Sequence, residues 1–360
     1  MIVEEKLNND EIFGKKQSIR IKGFLVIIMF WGHMFNHPER LLNNVSWYSL
    51  FSIKDIPIEV ILCPLLHCAV PLFFFIGGYA FYTINESIFK IDYLKKQVKK
   101  LYIKYWIVFS VFIPICFFLG KISFSFKEFL MNFIGISSSY CGEWWFFSTY
   151  LLIMIFWSGI YYLSEKFKLP KNNKWSICVA ILSIIIACIG YFMNYLFVKN
   201  GFDTSNIIWH QIYYMLIKQT MFITGVLISK HNGFIVIDKM VKKHGKQTYY
   251  AKMSLLVIIC LLMPYKFNFI PDSFFYIIYT PILVFVLCKI DNIFKFKSVF
   301  ELLGRNSTYM WLVHSLFLYK IMQKFIYLPK YSIACWGMLI IIALFTAMIL
   351  EKLENFIFQK

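Results

Sequence analysis

The sequence predicts an all-α polytopic membrane protein of about ten transmembrane helices, with both termini in the cytoplasm. Three observations carry that expectation. The 360 residues are 59% hydrophobic and 20% aromatic, with mean hydropathy +0.64, a more apolar composition than a soluble fold of this size requires. The charged residues fall in blocks, separated by apolar runs long enough to cross a hydrocarbon core ~30 Å thick. The basic residues also crowd alternate connections, with an imbalance of about three to one, as the positive-inside rule expects.

The runs lie near 18–36, 57–83, 98–120, 144–164, 176–198, 207–229, 249–263, 271–290, 306–327 and 332–351. Each must be helical, because lipid offers no partner to an unpaired backbone group. The seventh is short, so it begins earlier or tilts. Ahead of the first run, residues 1–17 are mixed in charge and read as a cytoplasmic segment. They show no cleavable signal peptide. Residues 18–355 then read as one transmembrane domain.

The second run carries Glu59, Pro64, His67, Pro71 and the pair Gly77-Gly78, a pattern that kinks or interrupts a membrane helix beside a cavity. The net charge of +18 follows from the inner connections, so it reports topology rather than nucleic-acid binding. Attraction to anionic lipid headgroups is a secondary consequence. The nine cysteines are scattered singly without a CxxC pair, which indicates neither a disulfide framework nor a metal site.

A few polar side chains interrupt the apolar runs, and such groups are expensive in a bilayer. Lys22 and His33 are eleven residues apart, three helical turns on one face and ~16 Å along the axis. A lysine at the inner membrane face then sets the imidazole near mid-depth. His314, nine residues past Arg305 in the ninth run, falls at a similar depth, ~13 Å from that arginine. Glu143 and Trp145 open the fourth run; His210, Gln211 and Lys218 lie in the sixth. Each also has a plainer reading. Lys22 fits a positive-inside flank, Glu143 an interfacial carboxylate, Trp145 an aromatic belt, and the histidines cross-helix hydrogen bonds.

These residues resemble the membrane-bound acyltransferase family 3, multi-span O-acyltransferases of surface glycans. The family's Arg-x10-His is kept in spacing as Lys22-x10-His33. Its PLFFxxSG phrase appears as Pro71-Leu72-Phe73-Phe74-Phe75-Ile76-Gly77-Gly78. A basic loop follows with Lys96-Gln97-Val98-Lys99 and Lys100, and a WF phrase matches Trp145-Phe146. The late LGxxSxxxYxxH phrase matches Leu303-Gly304, Ser307 and His314, with Trp311 in the tyrosine position. Lysines replace arginines and Gly77 replaces a serine, so point charges stand where the family has bidentate forks. The compact form without a soluble esterase domain looks most like members acting on exopolysaccharide or lipid-linked sugars.

The resemblance implies an acetyl-CoA or other acyl-CoA donor, a glycan or lipid-linked sugar acceptor, no metal, and a multi-pass location in the plasma membrane. Membrane lipids, a second copy or polysaccharide-synthesis proteins are the other partners expected. His33 is the expected general base, with His314 and Glu143 as further catalytic candidates. Lys22, Lys96, Lys99 and Lys100 suit the nucleotide phosphates, and Gly77 and Gly78 allow close approach of the donor. Trp145, His210, Gln211 and Lys218 are acceptor-side candidates. A transporter or flippase, or a non-catalytic subunit of a polysaccharide export system, would share the kinked helices and buried polar groups. Loss of acyl transfer in a His33 variant separates the enzyme from both.

Overall fold

A computed structural model describes residues 12–85, 91–169, 172–203, 207–243, 245–266, 270–291 and 296–358. The expected cytoplasmic segment 1–17 is thus described only from residue 12. The described chain is a bundle of helices with a single two-residue hairpin, Ser52–Ile53 against Ile56–Pro57. The helices are α1 Lys15–Phe35, α2 Ile58–Leu66, α3 Ala69–Asn85, α4 Ile91–Phe118, α5 Phe126–Phe133, α6 Trp145–Lys166 and α7 Asn173–Lys199. They continue as α8 Ile207–Lys230, α9 Gly233–Lys242, α10 Gly245–Lys266, α11 Asp272–Asp291, α12 Lys297–Ser315 and α13 Ser332–Phe358.

Among the described residues, nine helical segments are long and apolar enough to cross a membrane. They coincide with nine of the ten expected runs. The remaining run becomes α12 and the π-helical turn Leu316–Ile321. It fails the apolar test for a physical reason: α12 sits in the protein interior and turns Asn306, Ser307, His314 and Ser315 inward. The short seventh run does begin earlier, at Gly245, and stands at the periphery with 6% of its apolar window buried. The second run is interrupted, with α2 ending at Leu66 and α3 starting at Ala69. Pro71 cannot donate to the carbonyl of His67, which is where the helix breaks.

Two pairs of glycines set the central crossings. A Cβ on Gly78 would lie 1.8 Å from the Phe222 carbonyl oxygen, and one on Gly225 2.0 Å from that of Phe75, so α3 and α8 touch backbone to backbone. Gly23 and Gly304 do the same for α1 and α12, against the carbonyls of Phe300 and Ile19. These two helices share one direction. Ten residues beyond each glycine comes a histidine, His33 on α1 and His314 on α12, so the crossing fixes the two at one level ~15 Å away.

Ion pairs tie the inner end. Arg20 meets Asp291 at 2.7 Å, and Lys104 meets Glu354 at 2.8 Å with its ammonium 3.9 Å above the Tyr309 ring. Lys22 and Lys104 line one cavity, so the start of α1 and the end of α13 lie at the same end of the bundle. At the other end Glu59 holds the connection that follows α1. Its carboxylate accepts from Ser49 Oγ at 2.5 Å, Leu50 N at 2.9 Å and Ser332 Oγ at 2.5 Å.

The connection between the third and fourth runs, 121–143, which the charge rule places on the outer side as a loop, begins exposed at Phe124 and Phe126 but ends buried at Tyr140, Cys141 and Glu143. It folds back along α4: Tyr105 Oη donates to Asn132 O at 2.5 Å, Trp106 Nε1 to Phe133 O at 2.9 Å and Tyr102 Oη to Ile134 O at 2.9 Å. Tyr105 lies thirteen residues before the outer end of α4, so the chain re-enters by ~20 Å. Irregular backbone at that depth needs partners for its polar groups, which the side chains of α4 supply to these three carbonyls. The return brings Glu143 to the interior.

Candidate active site

Where α1 and α12 leave their crossing, the His33 and His314 rings stand 5.0 Å apart between centroids. Phe30, one turn below His33, stacks on His314 at 4.8 Å and 13°. His314 is fully buried, and its Nδ1 lies 2.5 Å from the Trp311 carbonyl oxygen. A carbonyl only accepts, so Nδ1 carries the proton and Nε2 presents a lone pair. Among the described residues that Nε2 has no hydrogen-bond partner, and neither has His33 Nδ1. His33 keeps 24% of its side chain exposed, which leaves it reachable. Tyr319 Oη donates to the His33 carbonyl oxygen at 2.6 Å and holds the last turn of α1.

Glu143 reaches this pair from the re-entrant segment, with Oε1 3.9 Å from His33 Nδ1. The same oxygen accepts from Arg40 NH1 at 2.7 Å. Arg40 belongs to the short 3-10 turn Pro38–Arg40 just past α1, and its guanidinium lies 5.2 Å from the Tyr319 ring centre. Gln323 fixes the turn by donating to the Arg40 carbonyl at 3.0 Å while accepting from Leu42 N at 2.8 Å. Beside Glu143, Cys141 Sγ meets Ser315 Oγ at 2.9 Å. Arg40 is the residue that sequence reading missed. It is one of two basic residues in a connection on the sparsely basic side, an exception to the charge rule that could have drawn attention.

Below the histidines lies a cavity of about 200 Å³. Its inner end is lined by Lys22, Lys100 and Lys104, its wall by Gly77, Phe146 and Tyr150, and its upper end by Met29 and Trp311. Met29 is one turn below His33, and Trp311 one turn below His314, so the cavity runs from the lysines to one helical turn short of the imidazole pair. A Cβ at Gly77 would come 2.7 Å from Tyr150 Oη, so the missing side chain keeps this wall open.

The other candidates divide. Gly78 is used in the α3–α8 crossing and does not line the cavity. Lys96 is exposed, and Lys99 lines a different groove together with Lys95. The phase of α4 separates them, since neighbouring residues on a helix point ~100° apart. Trp145 stacks on Tyr214 at 4.6 Å, and His210 meets the edge of the same Tyr214 at 4.4 Å. Gln211 accepts from Thr149 Oγ1 at 3.2 Å, and Lys218 pairs with Asp272 at 2.8 Å. Among the described residues none of these four makes a hydrogen bond, ion pair or ring contact with the histidines. His37 and His67 sit beyond the pair: the His37 ring is 6.4 Å from that of His33, and His67 Nε2 is 3.3 Å from Asn36 Nδ2.

Two imidazole nitrogens without a hydrogen-bond partner among the described residues, a carboxylate 3.9 Å from one, and a lysine-lined cavity beneath them are groups capable of acid–base chemistry near a bound anion. Residues 19–350 match the model of the acyltransferase 3 family, described as an acyltransferase domain. Comparison with curated proteins and with solved structures gives no match. The match spans nearly the whole chain, including both histidines, Glu143 and every residue lining the cavity. The chain belongs to the acyltransferase 3 family and is a multi-pass membrane acyltransferase.

Proposed function

We propose that the protein moves an acyl group, acetyl in the first instance, from acyl-CoA to a sugar hydroxyl of an exopolysaccharide or lipid-linked glycan at the plasma membrane. His33 acts as general base. The observation that carries this reading is the alignment of a lysine-lined cavity with the histidine pair, one helical turn beyond its upper end at Met29 and Trp311. A cavity of about 200 Å³ is below the usual range for a whole small-molecule site, ~300–1,000 Å³. It suits the acyl group and part of the pantetheine arm, with the nucleotide phosphates among Lys22, Lys100 and the inner face.

The acceptor hydroxyl loses its proton to the imidazole of His33 as its oxygen bonds to the thioester carbonyl carbon. The carbon–sulfur bond then breaks, and the departing thiolate takes the proton from the imidazolium. Glu143, brought nearer to Nδ1 than 3.9 Å, would fix the tautomer that leaves Nε2 basic and stabilise the imidazolium. Arg40 sets where that carboxylate rests. His314 contributes a second lone pair, and its protonated Nδ1 is already committed to the Trp311 carbonyl. Family membership favours this over the transporter and assembly-subunit readings.

The test is mass spectrometry of surface glycan from wild-type and deletion cells. It is joined to label transfer from radiolabelled acetyl-CoA by protein purified in detergent. Acyl esters lost on deletion and restored by the wild-type gene support the proposal. Unchanged acylation in the deletion strain contradicts it.

A further inference from the structure

Helix α4 has a second occupied-looking face that the acyl-transfer site does not use. Gln97, Lys100, Leu101 and Lys104 turn toward the donor cavity. Lys95, Lys99, Tyr102, Trp106 and Ser110, spaced at i, i+4, i+7, i+11 and i+15, form a stripe along a separate groove of about 800 Å³. Ile155 of α6 and Leu353 and Phe358 of α13 close its sides. Apart from Ser110 the groove is apolar up to its inner mouth, where Lys95 and Lys99 are both exposed and, among the described residues, neither has a carboxylate in ion-pair range. From Lys95 to Ser110 the stripe runs ~22 Å, enough to follow an acyl chain through one leaflet of ~15 Å. Tyr102 and Trp106 have their polar atoms tied to the re-entrant segment, so their rings are fixed walls.

We propose that this groove binds one anionic phospholipid of the inner leaflet, its phosphate between Lys95 and Lys99 and one acyl chain laid along Tyr102 and Trp106 toward Ser110. Charge complementarity selects the occupant. Two unpaired ammonium groups at the mouth of an apolar slot ask for an anionic head on an apolar tail. A second copy of a chain carrying +18 would bring lysine toward lysine instead. The same helix thus serves two anions on two faces, the donor at Lys100 and a lipid at Lys95 and Lys99.

The experiment is native mass spectrometry of delipidated protein in detergent, titrated with phosphatidylglycerol or phosphatidylcholine, beside acetyl-CoA binding by calorimetry. Wild-type protein should bind phosphatidylglycerol at least tenfold tighter than phosphatidylcholine. Lys95→Ala with Lys99→Ala should cost about 30-fold in phosphatidylglycerol affinity, on the order of one kcal/mol per lysine, and leave acetyl-CoA binding unchanged. Ser110→Phe, at an exposed position on the floor, should weaken both lipids. Equal binding of the two lipids by wild-type protein overturns the proposal. So does loss of acetyl-CoA affinity with lipid selectivity intact in the double variant, and so does a dimer that Ser110→Phe converts to monomer without changing lipid binding.

Discussion

Replacing Arg40 by alanine isolates the least expected contact of the site. Glu143 Oε1 is 2.7 Å from the guanidinium and 3.9 Å from His33 Nδ1, and its side chain is 9% exposed. A charge-assisted hydrogen bond contributes roughly 1.5–3 kcal/mol. Arg40 is itself 42% exposed, so water screens the pair and the lower end applies, about 1.5–2 kcal/mol. If Glu143 orients His33 from the place Arg40 gives it, the loss appears in kcat as about 10- to 30-fold. The donor KM should hold, because Arg40 does not line the lysine-lined cavity. Arg40→Lys restores the charge without the fork and should recover part of the rate. The assay is acyl transfer from acetyl-CoA by detergent-purified variants whose thermal unfolding is followed in parallel. A folded Arg40→Ala protein within threefold of wild-type kcat would refute the reasoning.

Four further outcomes follow from other parts of the chain. Gly304→Ala puts a methyl 1.8 Å from the Ile19 carbonyl, so α1 and α12 must part; overpacking of this kind costs about 1–3 kcal/mol, and thermal unfolding and acyl transfer should both fall. Gly32→Ala, with nothing within 4 Å of the new Cβ, should leave thermal stability unchanged or slightly raised. Lys22→Ala and Lys100→Ala should each weaken acetyl-CoA binding about fivefold in calorimetry, ~1 kcal/mol for a partly screened charge, with little change in kcat. Asp238 of α9, outside the spans, pairs with Lys242 at 2.7 Å and Lys289 at 2.5 Å. Burial opposes its charge, but the two ammonium groups prevail and hold the carboxyl below the usual carboxylate range. Its stabilisation is complete above the unfolded value near ~3.9 and is lost as pH falls through the lower folded value. The melting temperature should therefore drop on acidification below pH ~4, and Asp238→Asn should flatten that drop; an equal slope in the variant would contradict the assignment.

The spans and the level of the two histidines were legible in the chain because hydropathy marks membrane length and the helical rise converts sequence distance into depth. That His33 and His314 touch required one more fact, the Gly23–Gly304 crossing, which sequence alone does not pair. Glu143 shows the opposite case. Residues 121–143 read as an outer loop, and only the hydrogen bonds to Tyr102, Tyr105 and Trp106 reveal that they return into the bundle. Length says how far a loop can reach, not which way it goes. Lys99 and Lys100, like Gly77 and Gly78, are adjacent in sequence yet face different surroundings, because a 100° step per residue decides the matter and a run of similar residues hides its phase. Arg40 belongs to no motif in the sequence, and its carboxylate partner lies 103 residues away along the chain.

The central claim is that His33 takes the acceptor's proton above a donor held from the inner face. The most direct measurement is acyl transfer from radiolabelled acetyl-CoA by purified His33→Ala protein, with acetyl-CoA affinity determined on the same sample. Turnover should fall to background, with donor affinity within twofold of wild type. Retained turnover in a folded His33→Ala protein would contradict it.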